Sequence, residues 1–290
     1  NQIVIMLTYK EFEVLRALLS AKDMPQEGGI GQQVINRLHY QVFKNKDEVD
    51  AIIFTLHKKG YIDDNQVTNA ALTEIAPCRV NNAIILAAGG SDISPKSVYS
   101  KPKGLYVKDG ETLIERQIRQ LQEVGITDIT VVVGYKQEMY YYLEDKCGVI
   151  LVVNPDLKKN NIYSVYMAVD KLHSTYICNC DNYYKHNPFS LYEYNAYHSV
   201  LYKENAYNEL VVDTNRAGRI TSIYSGTKSG VCIYGHAYFD PKFSRMFKSY
   251  LKSEVDDFRI SALFWEEFVA RHFDDLDLYI RKYSADFIYE

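Results

Sequence analysis

Two short stretches of the 290-residue chain carry residue types suited to phosphate chemistry. In Leu86-Ala87-Ala88-Gly89-Gly90 an apolar run ends in paired glycines. Glycine lets a backbone approach a ligand closely and accepts positive φ, so successive N–H groups there can wrap phosphate oxygens. The same residues would also serve a tight turn with no ligand. Neither a Walker A Gly-Lys-Ser/Thr nor a dinucleotide Gly-x-Gly-x-x-Gly follows. The second stretch is Lys101-Pro102-Lys103-Gly104-Leu105. Proline restrains the chain, so Lys103 can be aimed at a fixed point. A lysine beside a nucleoside triphosphate neutralises charge that builds on the α-phosphate during attack. A solvated basic loop is the simpler reading for Lys96 and Lys101.

The elements needed to position these residues are readable nearby. Ala83 to Ala88 has the composition of a buried strand. Thr112 and Glu115 form a capping box for a helix that turns Ile114, Ile118 and Leu121 inward, with Gly125 beyond its end. Strands are predicted at Ile129 to Val133, Val149 to Val153 and Thr175 to Asn179. Helices are predicted at Gln137 to Asp145 and Ser164 to Leu172. This alternation predicts an α/β, Rossmann-like domain with a mainly parallel mixed sheet and helices on both faces. Ligands of such sheets sit outside the carboxyl ends of the strands. After Asn187 the pattern is less regular, with strands expected at Tyr197 to Tyr202, Glu209 to Asp213 and Gly230 to Tyr234, and a helix at Leu263 to His272.

The first 80 residues follow a different plan. Thr8 and Glu11 form a capping box ahead of Phe12, Leu15, Leu18 and Leu19 at helical spacing. A second helix carries Val34, Ile35 and Leu38, and a third, capped by Asn45 and Glu48, carries Val49, Ile52, Ile53 and Leu56. Gly60 closes it, and Tyr61-Ile62 and Val67-Thr68 flank a turn. Three helices and a hairpin are the plan of a winged-helix module. Ala76-Pro77-Cys78-Arg79-Val80-Asn81-Asn82 marks the join, giving a module at 1–80 and a nucleotide-binding domain at 81–290.

Bulk composition bounds the partners. A hydrophobic content of 47%, a charged content of 24% and a net charge of −4 describe a soluble globular protein. They give no global reason to expect nucleic acid or a membrane surface. Residues 1–80 hold ten acidic against nine basic side chains, a poor match to a DNA phosphate backbone. No apolar run reaches membrane-spanning length, and no basic-then-apolar leader opens the sequence. The five scattered cysteines match neither a redox pair nor zinc spacings and read as reduced thiols of a cytoplasmic protein. The 26 tyrosines leave room for an aromatic-lined pocket.

Taken together, Ala83-Ile84-Ile85-Leu86-Ala87-Ala88-Gly89, Lys101-Pro102-Lys103-Gly104-Leu105 and Leu113-Ile114-Glu115-Arg116-Gln117 resemble the nucleotidyltransferase signature of sugar- and choline-phosphate activating enzymes. Asn160-Asn161-Ile162-Tyr163-Ser164, Cys180-Asp181-Asn182-Tyr183, Phe264-Trp265-Glu266-Glu267 and Asp275-Leu276-Asp277-Leu278-Tyr279-Ile280 resemble segments of bacterial CTP:phosphocholine cytidylyltransferases. The resemblance spans about residues 82–290. It implies attack of the phosphocholine phosphate on the α-phosphorus of CTP, giving CDP-choline and pyrophosphate, with Mg2+ bridging the phosphates. It further implies that Leu86 to Gly90 hold the phosphates, that Lys103 is the main cation and that Asp181 is a catalytic metal ligand. Glu266 or Glu267 matches a second acid, and Asn161 and Ser164 match base or ribose contacts. Asn161 and Ser164 also read as a helix start. Tyr183 and Trp265 would offer aromatic faces to a trimethylammonium group, which cannot donate hydrogen bonds.

The arrangement of a winged-helix module before this domain also resembles a known bacterial one, in which a choline-kinase-like domain often follows. A fused or partner kinase-like domain and a homodimer are the partnerships this leads us to consider. The sequence departs from the family at Ile93, where an arginine is usual, and at Asp92, which adds negative charge near the triphosphate. A catalytically degenerate, ligand-binding regulator and a sugar-1-phosphate or aminoethylphosphonate nucleotidyltransferase are therefore the alternatives.

Overall fold

A computed structural model of the protein describes residues 7–20, 29–38, 40, 42–89 and 101–289. The chain divides into two compact units, Asn1–Val80 with Ser190–Tyr194, and Asn81–Phe189 with Asn195–Glu290.

The first unit holds α1 (Tyr9–Leu19), α2 (Gly29–Arg37), α3 (Lys46–Lys58), the strands β1 (Ile62–Asp63) and β2 (Gln66–Val67), and α4 (Asn69–Ile75). The Thr8 hydroxyl accepts from the Glu11 N–H while the Glu11 carboxylate accepts from the Thr8 N–H, so two otherwise unpaired donors at the helix start are satisfied. Asn45 caps α3 through the Glu48 N–H at 3.0 Å. Asp64 and Asn65 take positive φ, the conformation a two-residue hairpin turn requires. Helix α4 lies outside the three helices read from periodicity, although Thr68 caps it through the Ala71 N–H. Phe12, Leu15, Val34, Ile53, Leu56 and Ile62 form the core. Ser190–Tyr194 joins this unit through the Val80 N–H to the Leu191 carbonyl (2.9 Å) and the Tyr194 ring against Phe12.

The second unit begins with β3 (Asn82–Ala87), the hairpin strands β4 (Val107–Lys108) and β5 (Glu111–Thr112), α5 (Leu113–Glu123), β6 (Ile129–Val133), α6 (Tyr142–Cys147) and β7 (Ile150–Val153). It continues through α7 (Asn161–Met167), β8 (Thr175–Asn179), β9 (Tyr183–Tyr184), β10 (Tyr197–Lys203), β11 (Val211–Thr214), β12 (Ile220–Tyr224) and β13 (Gly230–Phe239). It closes with α8 (Pro241–Glu254), α9 (Phe258–Ser261), α10 (Trp265–Ala270), β14 (Tyr279–Lys282) and β15 (Ile288–Tyr289). The main sheet runs β12-β11-β13-β8-β3-β6-β7, with β10 pairing β13 and β14. Its four strands β8-β3-β6-β7 are parallel, as the alternation of strand and helix predicts. The β13 side is antiparallel.

Some boundaries differ from the sequence reading for local reasons. The Asn160 side chain caps α7, so that helix starts three residues before Ser164 and ends at Met167. The stretch from Gln137 splits into a 3-10 turn (Gln137–Tyr140) and α6, after Lys136 in a left-handed conformation. Helix α8 falls in the region that reads as irregular, yet Asp240 caps it and Pro241 occupies its first turn. Phe243, Phe247 and Leu251 recur at helical spacing on its buried side.

The large core of this unit gathers Ile84, Leu86, Ile177, Ala237, Phe239, Phe247 and Phe268. A second, aromatic cluster surrounds the fully buried His236, where Tyr176, Tyr184 and Phe189 pack edge-on or tilted. Burial pushes the His236 imidazole well below its usual range and keeps it neutral. Much of the tyrosine content is therefore packing. Among the described residues no helix is long and apolar enough to cross a membrane.

Trp265 belongs to the large core, not to a pocket wall: it is 1% exposed. It stacks on His198 at 5.3 Å with 11° between the rings and meets Phe239 at 5.1 Å and 71°. Replacing a fully buried tryptophan removes its transfer energy and leaves a cavity. Trp265→Ala should thus cost about 3–5 kcal/mol in urea unfolding. Near-normal stability with a selective loss of amine affinity would contradict this placement.

Candidate active site

The carboxyl ends of β3, β6 and β8 meet at one edge of the sheet. Leu86, Ala87 and Ala88 are buried, and Gly89 is the first exposed residue beyond the strand. The Leu86 carbonyl accepts from the Cys180 N–H at 3.2 Å, and the Ala88 carbonyl accepts from the Tyr135 N–H at 3.1 Å. A Cβ at Gly134 would lie 3.0 Å from the Ala88 oxygen and 2.5 Å from the Leu157 side chain, so glycine fits this close approach of the β6 end to the turn after β3 without displacing either. Gly90, Asp92, Ile93 and Lys96 lie outside the described residues.

Pro102 leads into a 3-10 turn over Lys103–Leu105, closed by the Leu105 and Tyr106 N–H groups on the Pro102 and Lys103 carbonyls. Gly104 presses against the loop after β8: an added Cβ would sit 3.0 Å from the Cys180 Cβ and Sγ and from the Tyr140 hydroxyl. This contact sets Lys103 beside Asp181, with Nζ 3.8 Å from Oδ2. Their side chains are 34% and 21% exposed, open enough to meet a ligand. Cys180 is nearby, but burial pushes its thiol up, so it is no ready nucleophile.

Asn161 and Ser164 act within the fold. The Asn161 side-chain oxygen accepts from the Trp265 N–H at 2.8 Å, holding the start of α10. The Ser164 hydroxyl oxygen is buried and accepts from the Asn154 side-chain amide at 3.0 Å, fixing α7 to the end of β7. Asn160 donates to the Ala262 and Ser261 carbonyls from its side chain and backbone. These bonds gather the α7 start, the end of β7 and the α9–α10 turn.

Three further residues of the sequence reading have partners within the fold. The Tyr183 ring is not an open aromatic face, because Lys108 Nζ lies 4.0 Å and Arg116 Cζ 4.4 Å from its centroid. Its hydroxyl donates to Asp109 at 2.6 Å, and that carboxylate holds the phenol pKa up. Glu267 accepts from the Phe264 N–H at 2.8 Å, capping α10. Glu266 is 4% exposed, and its Oε1 lies 3.6 Å from His198 Nε2 on β10, two strands away from β8. Among the described residues no three His, Cys, Asp or Glu side chains gather as a metal cluster. Among the described residues, Asp181 stands at the strand edge beside Lys103.

Helix α5 reaches the same edge through residues that periodicity alone leaves unassigned. Arg116 Nε donates to the Tyr184 carbonyl at 3.0 Å. Gln117 Nε2 donates to the Asn179 and Asn182 carbonyls at 2.8 and 2.9 Å. A buried glutamine among Ile114, Ile118 and Leu121 was the available sequence signal.

The chain is similar in sequence and fold to known proteins. Residues 83–188 match the MobA-like NTP transferase domain family. Choline-phosphate cytidylyltransferase of Streptococcus pneumoniae is 31% identical over 210 residues, covering 72% of this chain and 91% of that protein. 2-Aminoethylphosphonate cytidylyltransferase of Lancefieldella rimae is 32% identical over 220 residues, 72% of this chain and 87% of that one. The solved structure of CTP:phosphocholine cytidylyltransferase from Streptococcus pneumoniae matches with a TM-score of 0.68 and 31% identity, covering 73% of this chain and 93% of that chain. The chain therefore belongs to the choline-phosphate cytidylyltransferase-like family and is a nucleotidyltransferase.

Proposed function

We propose that the protein is a magnesium-dependent cytidylyltransferase that transfers CMP from CTP to phosphocholine or a related phosphorylated amine. The observation that carries this reading is the Lys103–Asp181 pair, 3.8 Å apart at the carboxyl edge of the parallel strands. An oxygen of the acceptor phosphate forms a bond to the α-phosphorus of CTP. The bond from that phosphorus to the bridging oxygen breaks, and pyrophosphate leaves with the electron pair. Lys103 balances the negative charge that grows on the α-phosphate oxygens. Backbone N–H groups at Gly89 would face the phosphates.

Asp181 would hold Mg2+. A single hard oxygen donor fits that ion, which keeps several waters and takes its other ligands from substrate phosphates. Bound there, Mg2+ would supply charge neutralisation at the phosphate oxygens. A primary ammonium donates hydrogen bonds and needs no aromatic cage, whereas trimethylammonium depends on open aromatic faces. The occupied rings of Tyr183 and Trp265 thus favour, as a second reading, an acceptor such as aminoethylphosphonate.

The first unit reads as a winged-helix-like docking module. With ten acidic and nine basic residues in its first 80 positions, it should show no salt-dependent affinity for duplex DNA in a fluorescence titration. Tight binding that weakens steeply with salt would reverse that assignment.

Pyrophosphate release from CTP and Mg2+ with phosphocholine, phosphoethanolamine, aminoethylphosphonate and sugar 1-phosphates tests the activity and ranks the acceptors. Lys103→Ala and Asp181→Ala should each lower kcat about 100-fold or more. CTP binding without turnover on any acceptor would instead support a regulatory protein, and turnover indifferent to both substitutions would remove these residues from the site.

A further inference from the structure

We propose that Gln117 is a positioning residue that sets the place of Asp181; this rests on the role of Asp181 given above. Gln117 is fully buried on α5, beside Leu113, Ile114, Ile118 and Leu121 and one further buried amide, Gln120. Leucine would pack there without desolvating an amide. Instead a single Nε2 spans the Asn179 and Asn182 carbonyls, at 2.8 and 2.9 Å. These two carbonyls flank the Cys180-Asp181 pair, so one amide closes the loop across Asp181. Both partners are acceptors only, so the –NH2 end of the glutamine must face them. Among the described residues its Oε1 has no hydrogen-bond partner, so the two donor bonds are what this amide contributes to the protein interior.

The same helix also reaches the lysine. The Leu113 N–H at the start of α5 donates to the carbonyl of Tyr106, immediately after the Lys103 turn. Downstream, Arg116 Nε and Gln120 Nε2 hold the Tyr184 carbonyl. Helix α5 therefore grips both sides of the pair and acts as the spacer between Lys103 and Asp181. This gives Gln117, within Leu113-Ile114-Glu115-Arg116-Gln117, a role in the chemistry without contact to substrate.

Gln117→Met keeps the length and removes the donors; Gln117→Asn keeps the amide but is one methylene too short to span both carbonyls. The first measurement is hydrogen–deuterium exchange of the metal-free full chain. Peptides covering residues 179–184 should exchange faster in either variant, with β3 and β6 unchanged. The second is a magnesium titration of CTP turnover. The Mg2+ concentration for half-maximal rate should rise about tenfold, with little change in the KM for CTP, the size of effect seen when a residue supporting a metal ligand is lost. A packing role alone would lower the melting temperature but leave both the 179–184 exchange and the magnesium requirement as in the wild type, and that result overturns the proposal. Should the methionine variant fail to fold, the asparagine variant is read by the same two outcomes. An inactive wild type would sink the transferase reading, while the exchange result would still decide the role of Gln117.

Discussion

Parallel pairing of β3 with both β6 and β8 is the constraint on which the rest of the second unit depends. Leu86 sits opposite Asn179 and Ala87 opposite Val133, so the three strands end together. Parallel neighbours must be joined by crossovers that return the chain to the other end, which leaves the loops at the carboxyl edge clear for a ligand. The turn after β3, the Gly134 bend and the Asp181 loop therefore face one space. A one-residue slip of β8 would turn the Asn179 side chain to the opposite face, because side chains alternate along a strand, and would move the start of the Asp181 loop with it.

Given that edge, the remaining geometry is set by close approach. The Lys103 turn can press on Cys180 and Tyr140 because Gly104 has no side chain to keep them apart. The polar groups buried around the edge then act as spacers. Gln117 spans the Asp181 loop, Asn154 meets Ser164, and Asn161 takes the backbone N–H of Trp265. Each such bond contributes only about 1 kcal/mol net, but a buried donor left unpaired costs more, so these bonds select one loop arrangement over its neighbours.

This explains why several residues with ligand-like chemistry belong to the scaffold. Glu267 spends its carboxylate on the N–H of Phe264, and Ser164 accepts from Asn154. The rings of Tyr183 and Trp265 are covered by Lys108 and Arg116 and by His198 and Phe239. In each case the partner is identified by the fold, and for both aromatics it lies far along the chain. Motif membership groups residues by segment, whereas packing decides which side chain of a segment is spent on the scaffold.

What the sequence by itself determined was local. Apolar runs specify β3, β6 and β8, and the caps at Thr8, Asn45 and Thr112 mark helix starts, because these signals act through a residue's own backbone and its near neighbours. Lys103 and Asp181 were legible as residue types inside their motifs. Their separation of 3.8 Å was not, nor was the span of Gln117 across the Asp181 loop. Helix α8 was not read from the sequence, although Asp240 caps it and Pro241 opens it, because its apolar stripe gains meaning only against the core it packs on. Tertiary structure decided exposure, pairing and which faces stayed open, because those depend on what packs against a side chain, and that neighbour comes from another strand or helix.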